Sequence, residues 1–61
     1  MHKVKCINVF LKNNEVKKYE DVDDISITPN RLIINFLDDT QRVFFIDCLE
    51  GYYQYTEKRW D

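Results

Sequence analysis

Aspartate side chains gather at two predicted turns, and carboxylates spaced in this way could hold a hard metal cation. The two groups are Asp21, Asp23 and Asp24, and then Asp38, Asp39 and Asp47. Mg²⁺ takes oxygen ligands, and nucleases bind it with two or three carboxylates. The spacing matches no calcium loop, however, and aspartate is a common turn residue because its side chain bonds to nearby backbone. The sequence therefore favours solvated turns, and no metal ligand or cofactor is assigned.

Nucleophilic chemistry would have to use Cys6 or Cys48, because a thiolate is a strong nucleophile once a base has deprotonated it. The only histidine is His2, and nothing in the sequence orients it toward either thiol. No catalytic residue is assigned, and the sequence favours a protein without enzymatic activity. An even number of cysteines allows a single Cys6–Cys48 disulfide, but two cysteines are too few for a disulfide framework. Both are expected to be small buried apolar residues.

Aromatic side chains are the stronger signal. The four phenylalanines lie in the clearest strand patterns and are expected in the core: Phe10, Phe36, Phe44 and Phe45. The tyrosines near the C-terminus occupy both faces of one strand, so they cannot all be buried. Tyrosine and tryptophan are enriched at protein interfaces. The predicted partner-binding residues are therefore Tyr52, Tyr53, Tyr55 and Trp60, together with the acidic cluster Glu20, Asp21, Asp23 and Asp24. The alternative is a charge-protected edge strand followed by a frayed tail.

Basic residues raise a nucleic-acid alternative, since lysine and arginine can contact phosphates. The candidates are Lys3, Lys5, Lys17, Lys18, Lys58 and Arg59. Trp60 follows two of them and could stack on an unpaired base. The net charge of −2 makes strong binding by a single chain unexpected. The charge is uneven, because residues 1–19 carry five lysines and one glutamate, whereas residues 20–61 carry ten acids and four bases.

The length of 61 residues bounds the chain to one domain that is marginally stable alone. Small domains often gain stability from oligomerisation, so a homo-oligomer, dimer or tetramer, is expected. No apolar run is long enough to span a membrane, and the first residues lack the apolar region of a signal peptide. We therefore expect a cytoplasmic protein with no membrane partner, made of one β domain over residues 1–56 and a polar tail over residues 57–61.

Alternation of apolar and polar residues predicts an all-β fold of six strands. The predicted strands are Lys3–Lys12, Val16–Val22, Ile25–Thr28, Leu32–Leu37, Arg42–Asp47 and Tyr52–Thr56. The predicted turns are a two-residue hairpin at Asn13–Asn14, then Thr28–Arg31, Asp38–Gln41, and one helical turn at Cys48–Gly51. Gly51 is expected to leave that last turn with a positive φ.

Short turns between consecutive strands predict a small antiparallel meander of five or six strands. So short a chain must twist strongly, either as a half-open barrel or as a sheet completed by another subunit. A two-residue hairpin loop would place Ile7, Val9, Leu11 and Val16 on one face of the first two strands. It would place Cys6, Phe10 and Tyr19 on the other.

The hairpin formed by Leu32–Leu37 and Val43–Ile46 is apolar on both of its faces. Successive side chains of a strand point to opposite faces, so this pattern favours burial on both sides. No long helix is predicted that could cover either side. The cover must come from the chain's other strands, from a second copy or from a partner.

Three pieces of the chain carry a resemblance to a known group of proteins: Val4 to Tyr19, Ile25 to Ile27, and Glu50 to Tyr53. They resemble short β-rich proteins of phages and prophages of AT-rich Gram-positive bacteria, among which are small anti-CRISPR inhibitors. The resemblance implies a phage-borne protein that works in the host cytoplasm by binding, as an oligomer. It carries no site residue over to this chain.

Three functions remain open on the sequence. The leading hypothesis is a mobile-element protein that inhibits a host factor, such as a defence nuclease, through a β-sheet surface. The alternative is an oligomeric nucleic-acid-binding protein, with metal-dependent DNA nicking as a variant. A phage protein with a regulatory or structural role is the third.

Overall fold

The computed structural model describes residues 2–60, which form six antiparallel strands in two three-stranded sheets. The strands are β1 (His2–Leu11), β2 (Val16–Tyr19), β3 (Val22–Ile27), β4 (Arg31–Phe36), β5 (Gln41–Phe45) and β6 (Leu49–Arg59). Sheet A has the order β2-β1-β6, and sheet B has the order β3-β4-β5. The all-β prediction is confirmed. Within the described residues, no helix is long and apolar enough to cross a lipid bilayer.

The strand order departs from a simple meander in two places. Consecutive strands pair at β1–β2, β3–β4 and β4–β5, as short turns predict. Strand β2 does not pair with β3, however, and β6 returns to the far side of β1 instead of pairing with β5. Strand β1 is therefore the centre of sheet A, although it comes first in the chain. Two small sheets that cover each other replace one continuous sheet.

The core lies where sheet B covers one face of sheet A. Its fully enclosed members are Ile7 and Val9 of β1, Val22 of β3, and Leu32 and Ile34 of β4. Partly buried side chains close its edges: Leu11, Tyr19, Ile25, Phe36, Phe44, Ile46 and Leu49. The rings of Tyr19 and Phe36 meet edge to face, with centroids 5.7 Å apart. The core is small, so each enclosed side chain carries a large share of the stability.

The hairpin loop between β1 and β2 has three residues, not the two predicted. Leu11 N–H donates to the Glu15 carbonyl at 2.9 Å, and Asn14 N–H donates to the Leu11 carbonyl at 3.1 Å. Asn14 has a φ of 69°, which fits a loop closed by a left-handed residue. The β4–β5 hairpin repeats this geometry, with Asp39 at a φ of 69°. The loop comprises Leu37–Asp39, so the turn begins one residue before the predicted Asp38–Gln41 segment, and Gln41 already belongs to β5.

The extra loop residue shifts the register by one and exchanges two side chains between faces. Phe10 pairs with Val16, and Ile7 pairs with Tyr19. Tyr19 therefore packs on the core beside Ile7, and Val16 points away from it, 57% exposed. The predicted faces of Tyr19 and Val16 are wrong for this reason, whereas those of Ile7, Val9 and Leu11 hold.

The chain passes from sheet A to sheet B at Asp21, not at the predicted Asp23–Asp24 break. Asp21 has a left-handed φ of 57°, which aspartate tolerates better than most residues. The predicted strand Val16–Val22 is thus divided, and β3 already begins at Val22. The register of β3 against β4 shifts between Val22 and Asp24, so the break predicted there is a bulge within a strand.

The C-terminal third also differs from the prediction. The single helical turn is a 3₁₀ turn at Ile46–Cys48, two residues earlier than expected. Strand β6 then runs for 11 residues from Leu49 to Arg59, well beyond Tyr52–Thr56 in both directions. Part of the predicted polar tail is therefore strand, and Met1 and Asp61 lie outside the described residues.

Cys6 is buried and Cys48 is exposed, and both thiols are free, so the expectation that both are buried is wrong for Cys48.

The β4–β5 hairpin is covered by its own chain on one face only. Leu32 and Ile34 are fully buried against sheet A. On the opposite face, Val43 and Phe45 are 46% and 60% exposed, with the Arg31 guanidinium 5.8 Å from the Phe45 ring centroid. Phe45 is thus not a core residue, and neither is Phe10, which is 38% exposed. Within one chain, the second apolar face stays open to water.

Burial predicts a large difference between two isoleucines of sheet B. Ile34 is fully enclosed, whereas Ile27 is 54% exposed. Ile34→Val should lower the free energy of unfolding by about 0.5–1.5 kcal/mol, since it removes a buried methyl group. Ile27→Val should change it by less than about 0.5 kcal/mol. Urea unfolding followed by circular dichroism measures both, and equal effects would contradict the assigned core.

Candidate functional site

The register of β6 on β1 sorts the C-terminal tyrosines onto two different faces. Tyr53 pairs with Asn8, and Tyr55 pairs with Cys6. These partners alternate with Ile7 and Val9, which point into the core, so Tyr53 and Tyr55 lie on the outer face of sheet A. Tyr52 lies on the opposite face, beside Val9.

The outer face of sheet A carries a group of aromatic and apolar side chains, which we call the tyrosine face: Phe10, Val16 and Tyr53, which are exposed, and Tyr55, which is half-buried. Phe10 lies between Val16 on one side and Gly51 on the other. The Tyr53 and Tyr55 rings are tilted toward each other, with centroids 5.8 Å apart. Phe10, Val16 and Tyr53 are 38%, 57% and 53% exposed. An apolar group of this kind on a sheet is typical of a contact surface.

Gly51 leaves a hollow in the tyrosine face beside Phe10. Its φ is not positive, so the predicted reason for a glycine here is wrong. A Cβ built at this position would have nothing within 4 Å, so internal crowding does not require a glycine either. A glycine inside a strand often marks a bulge or a place where another group approaches closely. The register of β6 on β1 shifts here, because Gly51 pairs with Phe10 and Leu49 pairs with Leu11, so Glu50 forms a bulge next to the glycine. The hollow at Gly51 is open to a partner's side chain.

Asn8 adds a polar group to the tyrosine face. It lies between Lys18 and Tyr53 in the two registers of β1. Its Oδ1 is buried and accepts no hydrogen bond from any group in residues 2–60. A buried amide oxygen without a donor is costly.

Four charged side chains close a ring at the other end of the same face, which we call the ion ring: Lys18, Glu20, Glu57 and Arg59. Lys18 Nζ lies 3.2 Å from Glu57 and 4.0 Å from Glu20. Arg59 lies 2.7 Å from Glu20 and 3.2 Å from Glu57. Positive and negative groups alternate, so the ring is neutral as a whole. Lys18 Nζ is also 5.9 Å from the Tyr55 ring centroid, which joins the ring to the tyrosine face.

The Cys6 thiol lies buried on this face, opposite Tyr55 and close to the ion ring. Burial raises the pKa of the thiol, and the Glu57 and Glu20 carboxylates raise it further. A raised pKa keeps the thiol protonated near neutral pH and therefore weakly nucleophilic. Cys6 fills space beneath the ring and is not placed for nucleophilic chemistry.

The structure separates the acidic residues that the sequence grouped with the tyrosines. Glu20 belongs to the ion ring and so lies beside Tyr55. Asp21 forms the bend between the sheets, whereas Asp23 and Asp24 belong to sheet B. Asp24 accepts a hydrogen bond of 2.8 Å from Asn35, which in turn accepts one from Gln41, so it forms part of a polar row on sheet B. Within residues 2–60, no three acidic, histidine or cysteine side chains come together as metal ligands.

The candidate nucleic-acid residues also divide into two groups. Lys18 and Arg59 are held in the ion ring, and Lys17 pairs with Glu15 at 3.3 Å. Lys3, Lys5 and Lys58 lie on the face of sheet A opposite the tyrosine face, and Lys3 stands directly across from Lys58. Of these, Lys5 is close to the Asp23 carbonyl, at 3.4 Å. Like charges directly opposite each other in a sheet are unfavourable.

Four members of the site were not predicted as functional: Asn8, Phe10, Val16 and Gly51. Phe10 and Val16 were expected to help form apolar faces, and only the one-residue change in register places them together on the outside. Gly51 could have been singled out from the sequence, since it is the only glycine in the chain.

The two remaining predicted aromatic residues lie outside the tyrosine face. Trp60 follows β6 and is 83% exposed. Tyr52 is 41% exposed on the far side of β6 from Tyr53.

Comparison with known proteins adds no relative. No protein family, no curated protein and no solved structure matches this chain.

The ion ring predicts how stability depends on pH. Hydrogen bonds from Lys18 and then Arg59 lower the pKa of Glu57 below its ordinary 4.5. A depressed carboxyl pKa stabilises the fold above the unfolded value, and this stabilisation is lost as the pH falls through the folded value. Glu57→Gln should therefore lower the free energy of unfolding near neutral pH and make its decline on acidification shallower.

Urea unfolding at several pH values between about 7 and about 3 measures this decline. Asp47→Asn is the control, because Asp47 is exposed and forms no ion pair with residues 2–60. Parallel pH curves for the wild type and Glu57→Gln would contradict a stabilising role for the ring.

Proposed function

We propose that this protein acts by binding another protein through the tyrosine face. The observation that carries the proposal is the exposure of Phe10, Val16 and Tyr53 on one side of sheet A. A single chain does not cover this group, although it buries smaller apolar side chains completely. Aromatic residues at the centre of a surface contribute most of the binding energy in many interfaces.

The surroundings of the tyrosine face support this use. Interfaces commonly have an apolar centre and a polar, solvated rim. Here the ion ring borders the aromatic side chains on one side. The hollow at Gly51 offers space for a partner's side chain beside Phe10. An apolar centre, a charged border and an open hollow thus lie on one face.

The proposed partner is a host factor, such as a CRISPR nuclease, which the protein inhibits in the cytoplasm of a bacterial host. This choice rests on the resemblance of three segments, Val4 to Tyr19, Ile25 to Ile27 and Glu50 to Tyr53, to short phage and prophage proteins. A binding surface on a small, rigid sheet suits an inhibitor, because little order has to be gained when the complex forms.

Two neighbouring tyrosines provide a matched test of the proposal. Tyr53 and Tyr52 are 53% and 41% exposed on opposite faces of β6, so both can be changed to serine at a similar cost to the fold. The chain should raise plaque counts of a targeted phage in cells that carry an active CRISPR nuclease. Tyr53→Ser should reduce this protection roughly tenfold or more, whereas Tyr52→Ser should leave it nearly unchanged.

Unfolding measurements on both purified variants control for stability. Equal protection by the Tyr53 and Tyr52 variants would contradict the tyrosine face as the working surface. Plaque counts that do not respond to the wild-type chain with any of several nuclease types would contradict the inhibitory role.

Nucleic-acid binding is a second candidate, because three lysines share the face opposite the tyrosine face. Lys3 and Lys58 are direct neighbours across the strands, and Lys5 lies two residues along β1. Within residues 2–60, Lys3 and Lys58 form no ion pair with an acidic group. A phosphate between them would relieve their mutual repulsion.

A gel-shift experiment tests this candidate. If the three lysines contact phosphates, binding to DNA should weaken steeply between about 50 mM and about 200 mM salt. Lys3→Ala and Lys58→Ala should each make that dependence shallower, whereas Lys17→Ala, on a lysine already paired with Glu15, should change it less. Absence of a shift at the lower salt concentration would contradict the candidate.

A further inference from the structure

We propose that the free edge of β6 pairs with β6 of a second copy of the chain, antiparallel and about a two-fold axis at Gln54. One side of β6 is bonded to β1 along ten register positions. Its other side meets no strand in the described part of the chain. The edge therefore presents a long row of backbone donors and acceptors ready for another strand.

The length of β6 distinguishes it from the other edges. The edge strands β2, β3 and β5 have four, six and five residues, whereas β6 has 11. Natural sheets usually keep free edges short or guard them with charges, bulges or proline. Between Gly51 and Thr56 the edge of β6 contains no charged residue and no proline. The segment open to pairing is thus its uncharged middle.

Symmetry restricts the register of such a pair. Residues directly opposite each other in a sheet lie on the same face, so only every second register keeps the tyrosine faces of both copies on one side. One of these registers is centred on Gln54. In that register, and in no other, every residue from Glu50 to Lys58 finds a partner. Leu49 lies beyond a shift in the register of β6 on β1, which makes Glu50 a bulge next to β1.

The charges of β6 are complementary in this register. Glu50 of each copy lies opposite Lys58 of the other, and neither residue forms an ion pair within residues 2–60 of its own chain. Opposite charges directly across two strands stabilise the pair. Lys58 also faces Lys3 of its own chain, so the carboxylate of the second copy would reduce that repulsion. Shifting the register by two residues in either direction separates Glu50 from Lys58.

Two aromatic arrangements follow from the same register. Tyr53 of one copy lies opposite Tyr55 of the other, so the two tyrosine faces become one surface. Trp60 directly follows β6 and Cys48 directly precedes it, so the pairing would bring Trp60 of one copy near the 3₁₀ turn of the other. Cys48 of that turn lines an open groove with Leu11, Val43 and Phe45. An exposed tryptophan would thus lie near a largely apolar groove that its own chain leaves empty.

Charge reversal tests the pairing directly. The wild type should have twice the 7.5 kDa chain mass by sedimentation equilibrium. Glu50→Lys alone and Lys58→Glu alone each place like charges opposite each other twice, so each should raise the dimer dissociation constant about tenfold or more. An equimolar mixture of the two variants should associate again, because both contacts of the mixed dimer are then complementary.

Loss of association by Lys58→Glu could not be attributed to misfolding, because this substitution removes the repulsion between Lys58 and Lys3 within the chain and should not destabilise the fold. Tryptophan emission provides a second readout, since Trp60 is the only tryptophan. It should shift to longer wavelength when the wild type is diluted into monomers. A wild type that stays monomeric at high concentration, or a mixture no more associated than its components, would overturn the proposal.

Cross-linking tests the register. With Cys48→Ser as background, Gln54→Cys places one thiol of each copy at the two-fold axis, where the Cα atoms are about 4.5–5.5 Å apart. This separation suits a disulfide. Thr56→Cys is the control, because its two copies would be about 13 Å apart along the strands. Mild oxidation should give a covalent dimer with Gln54→Cys and little with Thr56→Cys.

Equal cross-linking at the two positions, or more at Thr56→Cys, would overturn the register centred on Gln54. The proposal does not rest on the host factor inferred above. The mass and cross-linking of the purified chain are independent of any effect on phage growth.

Discussion

The burial of β1 on both sides of its central segment is the constraint on which the rest of the structure depends. Ile7 and Val9 point into the core, and Cys6 points the other way, yet all three are at most 2% exposed. A strand buried on both faces needs a neighbour at each edge and a cover on each side. Strands β2 and β6 supply the edges, and sheet B covers the inner face. The outer face has no second sheet, so long side chains must cover it.

The side chains that cover the outer face of β1 differ from one end of the strand to the other, and this difference produces the candidate site. Near Cys6 lie Tyr55 and the ion-ring residues, whose charged groups remain partly exposed to water. Over Asn8 and Phe10 the cover thins, because Gly51 contributes no side chain and Val16 stands at the edge. The aromatic surface is therefore exposed where the intramolecular cover ends.

Much of the fold could be predicted from the sequence, because strand alternation is a local property. The number of strands, the turn at Thr28–Arg31, a turn within one residue of Asp38–Gln41, and the inward face of Ile7 and Val9 all follow from it. The candidate site could not be predicted in full, because it depends on one loop residue. Asn13–Asn14 suits a loop of two or three residues, and only the folded chain selects the longer one. That choice alone brings Val16 beside Phe10.

The length of β6 has an explanation if the edges of two copies pair, and the hollow at Gly51 then lies inside the joined surface. In the register centred on Gln54, Gly51 of one copy lies opposite Glu57 of the other, so the hollow beside Phe10 adjoins the ion ring of the second copy. Each ring would then border two tyrosine faces, and the combined sheet would have six strands. A chain of 61 residues buries too little apolar surface to cover all its faces alone. Joining two edges enlarges the exposed aromatic surface without adding residues, which is how so small a sheet could present an interface of useful size.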